Sequence, residues 1–135
     1  MSVDPDQDPV ARSLTIEAFK RGITPPAAQT LRTYGLTQDD WLGLLAAQGW
    51  VCPICQQGND RPKTGKQALW NTDHEHVPGW KKMPPEKRKT FVRGVLCYYC
   101  NHRRVNSRME SAEAQRIADY FRAYEERRNG ATPGA

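Results

Sequence analysis

The segment Asp73-His74-Glu75-His76 contains two of the three histidines of this 135-residue chain, each beside a carboxylate. This combination suits phosphodiester hydrolysis, because an imidazole with a pKa near neutrality can take a proton from water while a carboxylate holds a divalent cation. Side chains alternate in an extended segment, so Asp73 and Glu75 should point to one side and His74 and His76 to the other. We therefore predict that His74 is a general base and that Asp73 binds the cation.

A second oxygen ligand for this cation is predicted at Asn101, directly after the last cysteine. Mg²⁺ prefers oxygen ligands and keeps several waters, so it needs only one or two protein groups. Asp73 and Asn101 can supply them if a helix that begins at Asn101 faces the strand that ends at Asp73. Two histidines in such a string could instead be surface residues or zinc ligands. The position of the string, between two cysteine pairs and in the most basic part of the chain, favours the catalytic interpretation.

The four cysteines form two Cys-x-x-Cys pairs, Cys52 with Cys55 and Cys97 with Cys100. Two such turns can surround Zn²⁺ with four thiolates, which leaves no position for water, so we expect a structural zinc. The pairs enclose 41 residues, including the histidine segment, so loss of the metal should unfold this region. A redox pair or a chance spacing is the alternative, but redox motifs occur singly on a βαβ pattern that this sequence lacks.

The excess positive charge lies in the same part of the chain. Residues 51–110 carry a net charge of +7 and residues 1–50 carry −2, within a total of +5. A basic segment of this kind is typical of a surface that binds a polyanion, and an ordinary solvated surface is the alternative. The apolar fraction, 38%, indicates a thin core that a structural metal would stabilise.

The sequence predicts neither export nor insertion into a membrane. The first fifteen residues lack the basic start and apolar run of a signal peptide, and no stretch approaches about 18 consecutive apolar residues. We therefore expect a cytoplasmic location. In a reducing cytoplasm, paired cysteines favour metal-bound thiolates over structural disulfides.

Two short strands and a helix are predicted to bring the catalytic residues together. One strand covers ALWNT and ends at Asp73, and the other covers TFVRGVLC and ends at the second cysteine pair. Polar, turn-rich sequence at residues 56–67 predicts a loop before the first strand, and a loop with a basic centre covers residues 78–89. The stretch NHRRVNSRM, which begins at Asn101, lacks helix breakers and is predicted to be a helix.

Helices are expected on both sides of this unit. Two short helices are predicted between residues 13 and 35, and a third begins at the N-cap Thr37, has Asp40 three residues later and stops at Gly49. A last helix begins at Ser111 and ends before Gly130. Its apolar stripe is predicted to belong to the core, with a dimer contact as the alternative; the stripe consists of Ile117, Tyr120, Phe121 and Tyr124.

Three motifs, CPIC, NTDHEHV and VRGVLCYYCN, occur in an order that resembles the phage recombination endonuclease VII family of His-Me finger (HNH) nucleases. The sequence YGLTQDDWLGLLAAQGW is similar to the helix that leads into the first cysteine pair of this family, and the resemblance covers about residues 34–108. It implies an α+β fold with a small ββα-metal core and a four-cysteine zinc site. The expected organisation is a disordered leader (1–10), a helical N-terminal region (11–49), a zinc-stapled nuclease core (50–108), a C-terminal helix (109–129) and a tail (130–135).

The resemblance also implies cofactors, partners and residue roles. Structural Zn²⁺ is bound by all four cysteines, Mg²⁺ or Mn²⁺ is bound by Asp73 and Asn101, and His74 is the general base. In this family the position of His76 also lies in the active site, where it assists phosphate or metal binding. The implied partner is DNA, with branched DNA such as a Holliday junction as the substrate class, in the host cytoplasm if the protein is phage-encoded. A symmetric junction needs two active sites, so a homodimer is a further hypothesis.

Basic side chains are predicted to contact the DNA backbone. Arg93 is expected to contact a phosphate, with a structural salt bridge as the alternative. The lysine-rich insert GWKKMPPEKRK is interpreted as a backbone contact, with a solvated loop as the alternative. The full predicted set is Arg93, Lys81, Lys82, Lys87, Arg88, Lys89, Arg103 and Arg104. Two other functions stay open: a nonspecific or nicking endonuclease of the same superfamily, and a noncatalytic zinc module that binds nucleic acid.

Overall fold

Three helices precede the sheet in the computed structural model, which describes residues 9–58, 70–105 and 108–134. α1 spans Pro9–Lys20, α2 spans Ala28–Thr33 and α3 spans Gln38–Ala47. Glycines follow the first two helices, Gly22 at φ 68° and Gly35 at φ 71°, a conformation that glycine adopts without strain. Most of the predicted loop at residues 56–67, and residues 1–8 of the predicted leader, lie outside the described residues.

A capping box starts α3, and the predicted N-cap at Thr37 is confirmed. The Asp40 backbone N–H donates to Thr37 Oγ1 (3.0 Å), and the Thr37 N–H donates to Asp40 Oδ2 (2.9 Å). The same carboxylate lies 3.3 Å from the ammonium group of Lys89, which is in the connection between the two strands. The N-terminus of α3 is thus attached to that connection.

The sheet has two antiparallel strands. Their bounds, with those of the elements between them, are β1 (Trp70–His74), a 3₁₀ turn (Trp80–Lys82), α4 (Pro85–Arg88), a second 3₁₀ turn (Lys89–Phe91) and β2 (Val92–Cys97). Asp73 lies opposite Gly94, and a register shift then pairs His74 with Val92. The predicted α+β class is confirmed, and both strands lie where they were predicted as far as the structure describes them, since residues 68 and 69 of the first prediction lie outside the described residues. The basic connection, predicted as a loop, contains regular helical turns.

The hydrophobic core lies between the N-terminal helices and the sheet, and α3 contributes most to it. Trp41, Leu42 and Leu45 of α3 are fully buried in one cluster with Val95 of β2. Trp41 also donates a hydrogen bond from Nε1 to Thr72 Oγ1 of β1 (3.1 Å). The buried indole N–H of Trp41 is thus paired, and the contact connects α3 to the first strand.

The amide of Gln48, at the end of α3, pairs with the backbone N–H and C=O of one residue of β2. Its Nε2 donates to Val95 O (2.8 Å), and its Oε1 accepts from the Val95 N–H (2.9 Å). A Cβ at Gly94 would lie 2.8 Å from Gln48 Oε1, so only glycine leaves room for the amide here. α3 and the residue that ends it are therefore hydrogen-bonded to both strands, to β1 at Thr72 and to β2 at Val95.

Three predictions about the C-terminal part are wrong. The helix predicted over NHRRVNSRM is, in the described residues, only a π-helical turn, Cys100–Arg104. Val105 is extended (φ −108°, ψ 121°), as its branched Cβ favours, and it donates its N–H to Cys100 O (2.9 Å). The last helix, α5, spans Ser111–Gly134 and so continues past Gly130, where its end was predicted.

The third error concerns the apolar stripe of α5. All its side chains are exposed, as is every described side chain of this helix, so the stripe is not part of the core; it consists of Ile117, Tyr120, Phe121 and Tyr124. The reason is that the N-terminal helices and β2 complete the buried cluster without α5. None of the described helices, α5 included, is long and apolar enough to cross a membrane.

Candidate active site and zinc centre

The four cysteines converge at the end of the sheet where β2 finishes. Cys52, Cys97 and Cys100 are buried and Cys55 is partly exposed. The four Sγ atoms lie within 4.8 Å of one another, and the Sγ atoms of Cys55 and Cys97 are 3.9 Å apart. Zn–S bonds of about 2.3 Å in a tetrahedron place sulfurs about 3.8 Å apart. The cluster therefore has the donors and the spacing that could hold a zinc ion.

Burial and hydrogen bonds act in opposite directions on two of these thiols. Burial opposes ionisation of Cys52, but the backbone N–H groups of Cys97 and Cys55 outweigh it and lower its pKa to about 7. For Cys100, burial raises the pKa to about 12, despite the hydrogen bond that its Sγ accepts from Arg104 (3.2 Å). A metal ion bound among the sulfurs would favour the thiolate forms of Cys52 and Cys100.

The carboxylate of Asp73 lies near the opposite end of the strand pair and is paired with Arg93. Asp73 is only 8% exposed. Arg93 donates from Nε to Oδ2 (2.8 Å) and from Nη2 to Oδ1 (2.9 Å), and this pairing raises the pKa of Arg93. The register shift leaves Arg93 as the extra residue of a β-bulge, a feature that can redirect a side chain. Of the two roles considered for Arg93, the structure contains the salt bridge.

The imidazole of His74 has three aromatic neighbours. The ring of Trp80 stacks on it, with centroids 4.2 Å apart and planes 25° apart, and Tyr34 meets it edge-on at 5.4 Å. The exposed ring of His76 lies 4.5 Å away. Burial is the main cause that lowers the pKa of His74 below its usual 6.5, and the charge on His76 acts in the same direction. Burial therefore favours the uncharged form of the His74 ring.

Asn101 lies in the π-helical turn and reaches β1. Its Nδ2 donates to Asn71 Oδ1 (3.3 Å). Asn71 and Asp73 are two residues apart on the strand, so their side chains share one face at a separation of about 6.6 Å along the strand. The structure thus brings Asn101 to the face of β1 that carries Asp73, through a direct contact with Asn71.

The basic side chains predicted to contact DNA, other than Arg93, lie on two surfaces. The connection between the strands carries one set, exposed except for the partly buried Arg88: Lys81, Lys82, Lys87, Arg88 and Lys89. The π-helical turn carries Arg103 and Arg104, whose guanidinium carbons lie 5.8 and 4.6 Å from the centre of the Tyr99 ring. Cations beside an exposed aromatic ring are typical of surfaces that contact nucleic acid.

Sequence reasoning missed several residues that the structure places around the site, namely Tyr34, Gln48, Asn71 and Trp80. Tyr34 and Gln48 contact residues of the sheet that are far away in the chain, and no local pattern pairs them. One available signal was Gly94, since a glycine inside a strand often marks the close approach of another group. That group is the amide of Gln48.

Comparison with known proteins identifies a family. The family model described as recombination endonuclease VII matches residues 27–123. The Gene 59 protein of Mycobacterium phage D29 is 32% identical over 103 residues, which cover 76% of this chain and 53% of that protein. The Gene 59 protein of Mycobacterium phage L5 is 35% identical over 81 residues, which cover 60% of this chain and 40% of that protein. The chain thus spans about half the length of these relatives or less, and no solved structure matches it significantly.

Proposed function

The chain belongs to the recombination endonuclease VII family, and we propose that it is a metal-dependent endonuclease of the His-Me finger type that hydrolyses phosphodiester bonds in DNA. Family membership implies nuclease activity with DNA as the partner. The observation that carries the proposal is the end of β1, where the buried carboxylate of Asp73 and the half-buried imidazole of His74 are adjacent.

In the proposed mechanism, His74 takes a proton from a water molecule that attacks phosphorus in line with the leaving 3′ oxygen. Burial lowers the pKa of His74, so the ring can accept a proton at neutral pH. The products are a 5′ phosphate and a 3′ hydroxyl. His76, whose exposed ring lies 4.5 Å from that of His74, is proposed to assist in binding the phosphate.

Asp73 and Asn101 are proposed as oxygen ligands for Mg²⁺ or Mn²⁺, which would stabilise the negative charge on the reacting phosphate and on the leaving oxygen. A carboxylate has about four lone-pair sites and Arg93 uses two, so Asp73 can accept Arg93 and still offer oxygen lone pairs to a cation. Asn101 donates to Asn71 through Nδ2, which directs its amide oxygen away from Asn71. Both residues therefore fit the donor set that such a cation prefers.

The four-cysteine cluster is proposed to hold a structural Zn²⁺. Four sulfurs leave no coordination position for water, so this metal would not take part in hydrolysis. It would join the segment before β1 to the end of β2 and to the turn that carries Asn101. The ββα-metal core proposed here consists of β1, β2 and this short π-helical turn.

Cleavage of supercoiled plasmid tests the proposal. The purified protein should nick the plasmid when Mg²⁺ or Mn²⁺ is present, and His74→Ala should lose this activity while keeping its zinc content and circular dichroism spectrum. His102→Ala is the matched control, because the ring of His102 packs on Tyr98 at 4.2 Å and is not among the ring neighbours of His74. Equal cleavage by wild type and His74→Ala would remove His74 from the mechanism. Binding without any cleavage would favour a noncatalytic zinc module.

Branched DNA, such as a Holliday junction, is the proposed substrate class, because the family is described as a recombination endonuclease. The phage origin of the relatives supports a role in the host cytoplasm. Cleavage of synthetic four-way junctions should be compared with cleavage of linear duplex at one salt concentration, since salt alone changes the affinity of a basic protein for any DNA. Equal rates would favour a nonspecific or nicking endonuclease.

A homodimer is proposed because a symmetric junction requires two active sites and because α5 exposes an apolar stripe. Residues at this spacing form one side of a helix, which a second copy of the helix could cover. Sedimentation equilibrium should give twice the mass of the chain, and Phe121→Glu should shift the mass towards that of a monomer. A monomeric wild type at micromolar concentration would contradict this part of the proposal.

A further inference from the structure

Two of the aromatic neighbours of His74 come from outside its own segment. Trp80 follows Gly79 in the connection between the strands, and Tyr34 ends α2 in the N-terminal region. Their rings also contact each other, with centroids 5.7 Å apart and planes 53° apart. We call Tyr34 and Trp80 the aromatic pair. His74 lies against both members, stacked on one and edge-on to the other.

The aromatic pair is surrounded by contacts from neighbouring segments. Trp80 is only 6% exposed, and its Nε1 donates to Arg88 O (3.3 Å). The guanidinium carbon of Arg88 lies 5.9 Å from the centre of the same ring. Next to Tyr34, Gly35 approaches the carbonyl group of Pro85 so closely that any Cβ would collide with it. The N-terminal helices and the inter-strand connection are therefore packed together where the aromatic pair lies.

His74 lies at the end of its strand, where contacts from other segments must fix the orientation of its ring. It is the last residue of β1 and follows a register shift. The next residue, Glu75, still donates its backbone N–H to Phe91 O (2.9 Å), but this bond fixes the backbone and not the imidazole. The other ring beside it, that of His76, is exposed. Stacked and edge-on contacts both constrain the plane of a ring, and the combination leaves the imidazole little freedom to rotate.

We propose that Tyr34 and Trp80 are positioning residues that fix the orientation of the His74 imidazole for proton transfer. This inference rests on the proposed role of His74 as the general base. It makes the N-terminal helices part of the catalytic apparatus, although neither member of the aromatic pair contacts the reacting phosphate in the proposed mechanism. A base that is turned away from its productive orientation lowers the rate of the chemical step and leaves substrate binding unchanged.

The first test measures ring geometry and needs no nuclease activity. In proton NMR spectra, the indole face of Trp80 should shift the ring protons of His74 upfield, and His74→Ala identifies these signals. Trp80→Leu should move them downfield towards the positions of an unstacked imidazole, whereas Trp80→Phe should keep most of the upfield shift. Trp50→Leu is the matched control, because Trp50 packs on the hydrophobic core and below the guanidinium group of Arg21. It should leave the His74 signals unchanged.

The second test measures plasmid nicking. Loss of one ring contact should lower kcat about tenfold, with KM unchanged, in both Trp80→Leu and Tyr34→Leu. Trp80→Phe and Tyr34→Phe should recover most of the rate, and Trp50→Leu should retain wild-type kcat at temperatures where it is folded. If Trp80→Leu does not fold, Tyr34→Leu carries both readouts, because it removes only the edge-on ring.

The outcomes separate this inference from the proposed function. His74 signals that stay unchanged in Tyr34→Leu and Trp80→Leu would overturn the aromatic pair as a support, whatever the activity. A changed ring environment with unchanged kcat would also overturn it. A wild-type protein that never cuts DNA would refute the proposed function, whereas the NMR comparison would still test the ring contacts of His74.

Discussion

Replacing Gly94 with alanine should destabilise the fold about as much as removing the amide of Gln48. The new Cβ would lie 2.8 Å from Gln48 Oε1, so the amide would have to move away. Both ends of this amide are bonded to the backbone of Val95, which is fully buried, so the amide cannot move without stretching or breaking these hydrogen bonds. A buried peptide group without a partner costs about 1–3 kcal/mol, so we expect Gly94→Ala to lower the free energy of unfolding by about 2–4 kcal/mol.

A double-mutant cycle isolates this cause. Gln48→Ala alone should lower the free energy of unfolding by a similar amount. In a protein that already carries Gln48→Ala, the Cβ added by Gly94→Ala no longer meets the Gln48 amide. The double variant should therefore be as stable as Gln48→Ala, or more stable by about 0.5 kcal/mol because alanine restricts the unfolded chain. Urea denaturation of zinc-saturated protein, followed by tryptophan fluorescence, measures each corner of the cycle.

Gly43→Ala provides the control for a glycine substitution near the same core. Gly43 lies inside α3, and nothing is within 4 Å of the position that its Cβ would take. Alanine should stabilise the helix there by about 0.5–1 kcal/mol. Strictly additive losses for Gly94→Ala and Gln48→Ala would refute the explanation, since they would mean that the two residues act independently.

Further predictions concern the metal, the ion pair, the helix cap and pH. Removing zinc with a chelator should unfold the region around the four cysteines, and added Zn²⁺ should restore its circular dichroism; an unchanged spectrum would argue against a structural metal. Arg93→Ala should lower the free energy of unfolding by about 3 kcal/mol, because the buried Asp73 carboxylate loses its partner, and a loss below about 1 kcal/mol in urea denaturation would contradict this. Thr37→Ala removes half of the capping box, so the free energy of unfolding, measured by urea denaturation, should fall by about 1 kcal/mol. Plasmid cleavage should rise with pH to a plateau, with the midpoint of the rise below the usual 6.5 of a histidine, because His74 must be unprotonated and its pKa is lowered. The free energy of unfolding should also rise with pH in this range. Because the pKa of His74 is lower in the folded chain than in the unfolded chain, the unfolded chain takes up the proton first, so His74 destabilises the fold as pH falls below 6.5.

Local sequence determined those features that depend on residues close together in the chain. The N-cap at Thr37 follows from a hydroxyl and a carboxylate three residues apart, which is a spacing that only the first turn of a helix can use. Both strands were predictable because β-branched and aromatic residues lie between turn-forming segments. The spacing within each Cys-x-x-Cys pair indicated a tetrahedral thiolate site, because each turn brings two sulfurs to one side of an ion.

The tertiary structure decided which of these elements meet. Arg93 could have contacted a phosphate or a carboxylate, and the β-bulge directs it to Asp73. Trp80 and Tyr34 reach His74 only because the inter-strand connection packs on the N-terminal helices. An amphipathic stripe, as on α5, tells which side of a helix is apolar, but not whether the same chain covers that side. Contacts between distant residues depend on how whole elements pack, and the sequence around any one residue does not contain that information.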